Sequence, residues 1–145
     1  MKKAIFLILT ALLAIGLSAG SVLAQETVKI GFCAPLSGPA AAWGLPGMEG
    51  VEIWLEQVNK EGGLKIGDKT YKVEIVQYDD EGIGSKALLG ARKLVEEDGV
   101  VALLMLGGST SAAVSPYLTQ KKIMSFVLIA SDITKDRPYL LDVTD

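Results

Sequence analysis

The chain has 145 residues, a net charge of −3, one cysteine and no histidine. A mildly acidic chain argues against nucleic acid or an anionic membrane as partner, because phosphate binding rests on clustered lysine and arginine. A lone Cys33 excludes an internal disulfide, and the lack of histidine removes Ser-His and Cys-His nucleophile pairs and all histidine metal sites.

The chain opens with "MKKAIFLILTALLAIGLSAGSVLAQ": two lysines, an apolar run from Ala4 to Leu17, then small residues ending in Val22-Leu23-Ala24. This is the layout of a secretory signal peptide, with cleavage expected after Ala24. The run is shorter than the ~20 residues a membrane span needs. Gln25 follows the cleavage point, where lipid attachment would need a cysteine. The expected mature chain is residues 25–145, soluble and outside the cytoplasm, with a charge of −5 once Lys2 and Lys3 are removed.

"VKIGFCAP" reads as an apolar strand in which Cys33 is a small buried residue, and "LSGPAAAWGLPG" as a loop rich in Gly, Pro and Ala. From Met48, apolar residues at 48, 51, 55 and 58 share one helical face. "NKEGGL" stops that helix at Gly62 or Gly63, "KIGDKT" turns the chain, and "YKVEIVQYDD" alternates as a strand. "SKALLGARKLVEEDG" reads as a second helix with Ser85 as N-cap and Leu88, Ala91 and Val95 on one face. "VVALLML" has the length and composition of a strand covered on both faces. "GGSTS" leads into a third helix to about Gln120, and "IMSFVLIA" is a further buried strand. Strand and helix alternate four strands deep, which predicts an α/β fold, a doubly wound parallel sheet with right-handed crossovers. The last segment, "DRPYLLDVTD", is extended and has no helix after it.

In open parallel sheets, ligands bind beyond the carboxyl ends of the strands. Four stretches should gather there: 35–44, 79–84, 107–111 and 130–133. At the Gly-Gly-Ser-Thr-Ser corner, glycines let a ligand approach the backbone and a helix N-terminus presents free N–H groups with partial positive charge. The hydroxyls of Ser109, Thr110 and Ser111 add donors. Plain helix capping by Ser109 is the alternative reading of the same residues. A phosphate cradle would need a P-loop lysine, a dinucleotide loop Gly-x-Gly-x-x-Gly, and a nucleophile elbow Gly-x-Ser-x-Gly with a histidine; the sequence has none of them. In "YDDEG", one acid pair without a third ligand makes no metal site, and Asp80 reads as a cap bonding loop amides. Trp43 is either a wall for a ligand or ordinary loop packing.

Three stretches, "VKIGFCAPLSGPAAAWGLPGMEGVEIWLEQVNKEGGL", "YKVEIVQYDDEGIGSKALLGARKLVEEDGVVALLMLGGSTSAA" and "IASDIT", together resemble the type I periplasmic binding proteins of the branched-chain amino acid transport family. The motifs are Pro-Leu-Ser-Gly after the first strand, Asn-x-x-Gly-Gly after the first helix, Tyr-Asp-Asp, and the hydroxyl corner. The resemblance implies one of two α/β lobes that close on a small solute and pass it to an ABC permease in the inner membrane, without cofactor or catalysis. It implies that Ser109, Thr110 and Ser111 hold the ligand carboxylate, that Ala130 and Ser131 supply backbone and hydroxyl contacts, and that Trp43 is the aromatic of the first loop. Ser131 stands where a threonine is common. Family members are more than twice this length, so residues 25–145 are expected to be part of the N-terminal lobe, contributing half of an amino-acid site. The second reading is an extracellular ligand-sensing domain of a receptor.

Overall fold

A computed structural model describes residues 25–128 and 135–143. The expected signal peptide, Ala130 and Ser131 lie outside the described residues.

The first strand, β1 (Thr27–Ala34), is followed by α1 (Ala41–Lys60). A hairpin comes next, made of β2 (Leu64–Ile66) and β3 (Lys69–Asp79). Then come α2 (Gly84–Glu96), β4 (Ala102–Leu106), α3 (Gly108–Lys121), β5 (Met124–Leu128) and β6 (Leu140–Asp142). Among the described residues these strands form one sheet in the order β2-β3-β1-β4-β5-β6. Neighbours from β3 to β6 run parallel and β2 is antiparallel to β3. The strand order reverses at β1, whose two parallel neighbours are β3 and β4. The crevice above that reversal is where an open α/β sheet accepts ligand.

Alternation along the strands assigns the two faces. Cys33, Leu103, Met105 and Val127 point to one side, where they form the main core with Ala87, Ala91 and Leu94 of α2 and Val114 and Leu118 of α3. Each of the large aliphatic side chains buried there contributes roughly 1.5–3 kcal/mol through water exclusion. Phe32, Leu104, Leu106, Phe126 and Leu128 point to the other side, where α1 is the helix present. Helix α1 sits close because Gly44 lies against the backbone of Pro35: a Cβ there would fall 1.8 Å from the Pro35 carbonyl oxygen. At the other end, the Asn59 amide bonds both backbone groups of Val73, N–H and C=O each at 2.9 Å. That exchange satisfies β3 where β2 has already ended, and gives the Asn of the Asn-x-x-Gly-Gly motif a structural task.

Several sequence expectations change. The stretch 41–47 is helix rather than loop, so Trp43 stands in the first turn of α1; Pro46 costs one intrahelical bond, and the seat of Gly44 on Pro35 overrides that local cost. The "KIGDKT" turn belongs to a two-residue hairpin that adds the antiparallel edge strand β2. Ile83, not Ser85, is the N-cap residue of α2. Strand β4, expected to be covered on both faces, is buried on the α2–α3 side and, among the described residues, only partly covered by α1 on the other; Leu104, Leu106 and Phe126 of β5 are half-buried there and Leu128 is exposed.

Candidate functional site

Helix α3 begins without a side-chain cap. Its N-cap is Gly107, at φ 99° and ψ 134°, a backbone conformation open essentially to glycine alone. Its amide donates to the carbonyl of Leu128 on the neighbouring strand at 3.2 Å, which anchors the corner. The first bond that α3 closes on itself runs from Ser111 N–H to the Gly107 carbonyl at 3.1 Å. The N–H groups of Gly108, Ser109 and Thr110 precede it and point off the helix end. No acidic residue occupies the first turn, so the positive end of the helix dipole is not neutralised from within.

The three hydroxyls divide. Thr110 is buried, and its Oγ1 donates to the carbonyls of Leu106 and Gly107, both at 3.0 Å. Ser111 is also buried, and its Oγ donates to Gly108 at 2.9 Å. Ser109 is exposed at the mouth of a cavity and does not cap the helix. That cavity, about 290 Å³, is lined by Pro35, Ala40, Trp43, Gly82, Leu106, Gly107, Ser109, Thr110 and Leu128. Three of the four stretches expected at the sheet edge thus meet around one space. The fourth, with Ala130 and Ser131, lies outside the described residues, and Leu128 just before it lines the wall. Trp43 is 71% exposed along that wall, so most of the indole has no packing partner among the described residues. The apolar lining from Leu106 and Leu128 was missed from sequence; their positions as the last residues of two parallel strands were the available signal.

Tyr-Asp-Asp ends β3 with both acids engaged by backbone. Asp79 Oδ1 accepts N–H bonds from Leu36 (2.8 Å), Ser37 (3.2 Å) and Glu81 (2.9 Å). Burial pushes its carboxyl up, but the Ser37 hydroxyl and the amides of Glu81, Leu36 and Ser37 outweigh that and hold it below the usual value. Asp80 is fully buried and its Oδ1 accepts the Gly82 N–H at 2.8 Å. Burial raises its carboxyl, against smaller opposing effects from Gly82 and Cys33, with Asp79 adding a further upward push. Among the described residues no group of three His, Cys, Asp or Glu side chains is placed to hold a metal ion.

The arrangement is a partly apolar cavity with an uncapped helix end at one side, suited to an anionic group on an apolar body. The model of the periplasmic binding protein family matches residues 27–141. The chain belongs to that family, in its type I, branched-chain amino acid branch. The Leu/Ile/Val-binding protein homolog 6 of Brucella abortus (strain 2308) is 35% identical over 147 residues, covering 97% of this chain and 35% of that protein. The leucine-, isoleucine-, valine-, threonine- and alanine-binding protein of Pseudomonas aeruginosa is 32% identical, covering 80% of this chain and 30% of its own length. Among solved structures, the branched-chain amino acid substrate-binding protein LivJ of Streptococcus pneumoniae, complexed with isoleucine, gives a TM-score of 0.71 at 24% identity. It is matched over 81% of this chain and 33% of its own, and at that identity it speaks to the fold. A solute-binding protein of Rhodopseudomonas palustris BisB5, complexed with 3,4-dihydroxybenzoic acid, gives 0.68 at 26% identity over 81% of this chain and 32% of its own. This periplasmic binding protein chain therefore spans about a third of the length of these relatives.

Proposed function

We propose that the chain contributes the N-terminal-lobe half of an extracytoplasmic solute site in an ABC importer, taking a small amino acid of branched-chain type by its carboxylate. The observation that carries this reading is the uncapped N-terminus of α3, with Ser109 beside it, opening on a cavity whose other walls are Pro35, Trp43, Leu106 and Leu128. A carboxylate meets three backbone donors and the helix dipole, while a branched apolar body lies against Leu106, Leu128 and the indole. Thr110 and Ser111 act in this reading through their backbone and by fixing the turn, since their hydroxyls are spent on carbonyls. Ala130 and Ser131 are proposed to supply further contacts. A leader of residues 1–24 directs export, and an inner-membrane permease receives the solute.

The test is a titration of the 15N-labelled chain with L-isoleucine, followed at the amides of Gly108, Ser109 and Thr110. One wall leaves the ligand much of its water, so the expected affinity is weaker than micromolar, with shifts confined to this corner and absent with L-isoleucine amide, which lacks the carboxylate. Equal shifts with the amide, or none with either, would overturn the reading. Stronger shifts with 4-hydroxybenzoate would replace the amino acid by an aromatic acid.

A further inference from the structure

The cavity is walled by two loops that belong to different parts of the chain. The β1–α1 connection brings Pro35, Ala40 and, through the start of α1, Trp43; the β3–α2 connection brings Gly82. The two touch directly, since a Cβ on Gly82 would lie 3.3 Å from the Ala40 Cβ and 4.0 Å from that of Pro35. Yet the paired strands end at Ala34 and Asp79, which are register partners, and one last backbone bond, from the Asp80 N–H to the Ala34 carbonyl at 3.1 Å, closes the ladder and leaves residues 35–37 and 81–83 beyond it.

One carboxylate oxygen spans that gap. Oδ1 of Asp79 accepts the amides of Leu36 and Ser37 from one loop and of Glu81 from the other. Glu81 adopts φ 53° and Gly82 φ 74°, so the β3–α2 loop turns sharply at Glu81, which the Asp79 carboxylate holds, and at Gly82, which Asp80 Oδ1 holds. A side chain that stabilised only its own turn would bond Glu81 alone; the bonds to Leu36 and Ser37 cross between segments 42 and 43 residues away.

We propose that Asp79 is the positioning residue of the solute cavity, its Oδ1 being the joint that sets the β1–α1 loop, and with it Trp43, against the β3–α2 loop. The inference rests on the cavity being the solute site, but its structural part is tested without ligand. An ionised acceptor binds three N–H groups more strongly than a neutral one, so the joint weakens when Asp79 takes up a proton. The other charged or titratable groups near it are Asp80, Cys33 on β1, and Glu81, which pairs with Lys86 of α2.

The experiment is a pH titration of the 15N-labelled full chain with the variants Asp79→Asn and Asp79→Ala. The Leu36, Ser37 and Glu81 amides are expected to share one midpoint, below that of an ordinary aspartate, and to lose that midpoint in Asp79→Asn. Asp79→Ala is expected to move the Trp43 indole and Gly82 resonances, while Asp79→Asn, which keeps an oxygen acceptor, restores most of their positions. Loss of the L-isoleucine response by fivefold or more in Asp79→Ala, with partial rescue in Asp79→Asn, completes the case. Separate midpoints for the three amides, or unmoved Trp43 and Gly82 signals in Asp79→Ala, would overturn the joint. A shared midpoint with no isoleucine response in the unaltered chain would instead keep the joint and overturn the assignment of the cavity.

Discussion

Cys33 directs its thiol at a carboxylate oxygen of Asp80, Sγ to Oδ2 at 3.8 Å, and neither residue reaches solvent. Burial pushes the thiol up, and the negative charge of Asp80 pushes it further. Burial likewise raises Asp80. The folded value of Asp80 lies above its unfolded one, so its contribution favours folding at low pH and is lost as pH rises through the folded value. Asp80→Asn keeps an oxygen for the Gly82 amide and removes the buried charge. Its melting temperature at pH 7.5 is expected to equal or exceed that of the unaltered chain, with the difference shrinking toward acid pH. Paired thermal melts across pH 4 to 8 check this, and a clear drop at pH 7.5 would contradict it. The Cys33 thiol should react with a disulfide reagent only after denaturation.

Gly107 is expected to tolerate no side chain. At φ 99° the cost of alanine is on the order of 1–3 kcal/mol, although space is not the obstacle, since the nearest atom to an added Cβ is Thr110 Oγ1 at 3.4 Å. Urea unfolding of Gly107→Ala should show a lower midpoint at unchanged slope, and the start of α3 should lose its response to L-isoleucine.

Ser109 and Thr110 are neighbours with opposite expected behaviour. Thr110→Val removes a buried hydroxyl from two carbonyls and should cost about 1 kcal/mol or more of stability. Ser109→Ala, at an exposed site with no capping bond, should change stability by less than about 0.5 kcal/mol and should weaken the isoleucine response. Denaturation curves and ligand titrations of both variants separate the two roles; a destabilised Ser109→Ala would show that the hydroxyl serves the fold.

The sheet face beside α1 leaves Leu128, Leu141 and Val143 exposed, next to a cleft lined by Phe32, Leu104, Leu106 and Phe126. Contiguous apolar surface of this kind binds hydrophobic dyes. Purified chain is expected to enhance anilinonaphthalene sulfonate fluorescence, and the double variant Leu141→Glu, Val143→Glu to reduce it with little change in melting temperature. Unchanged dye binding would place the dye elsewhere.

The three helices were legible because their apolar residues recur at three and four and glycines stand at the ends. Residues 41–47 were not, since Pro46 and three nearby glycines carry every local sign of a loop. The local pattern does not announce the contact that this helical turn makes, with Gly44 seated on the Pro35 backbone. The hydroxyl corner was visible as a corner, but which hydroxyl faces outward depends on the rotation of α3, set by Val114 and Leu118 in the core. Asp79 was overlooked beside Asp80 because the two are alike in sequence, and the end of β3 between them sends them to different surroundings.

Sequence alone determined the alternation of strand and helix, the parallel sheet, the glycine-hydroxyl corner and the exclusion of histidine chemistry, because each follows from local periodicity or composition. Tertiary structure decided that Gly107 rather than Ser109 is the N-cap of α3, that Trp43 lines the cavity from a helix, and that one oxygen of Asp79 joins two loops. Those facts depend on groups brought together from distant parts of the chain, and their hydrogen bonds and close contacts exist only once the sheet has set the strand ends side by side.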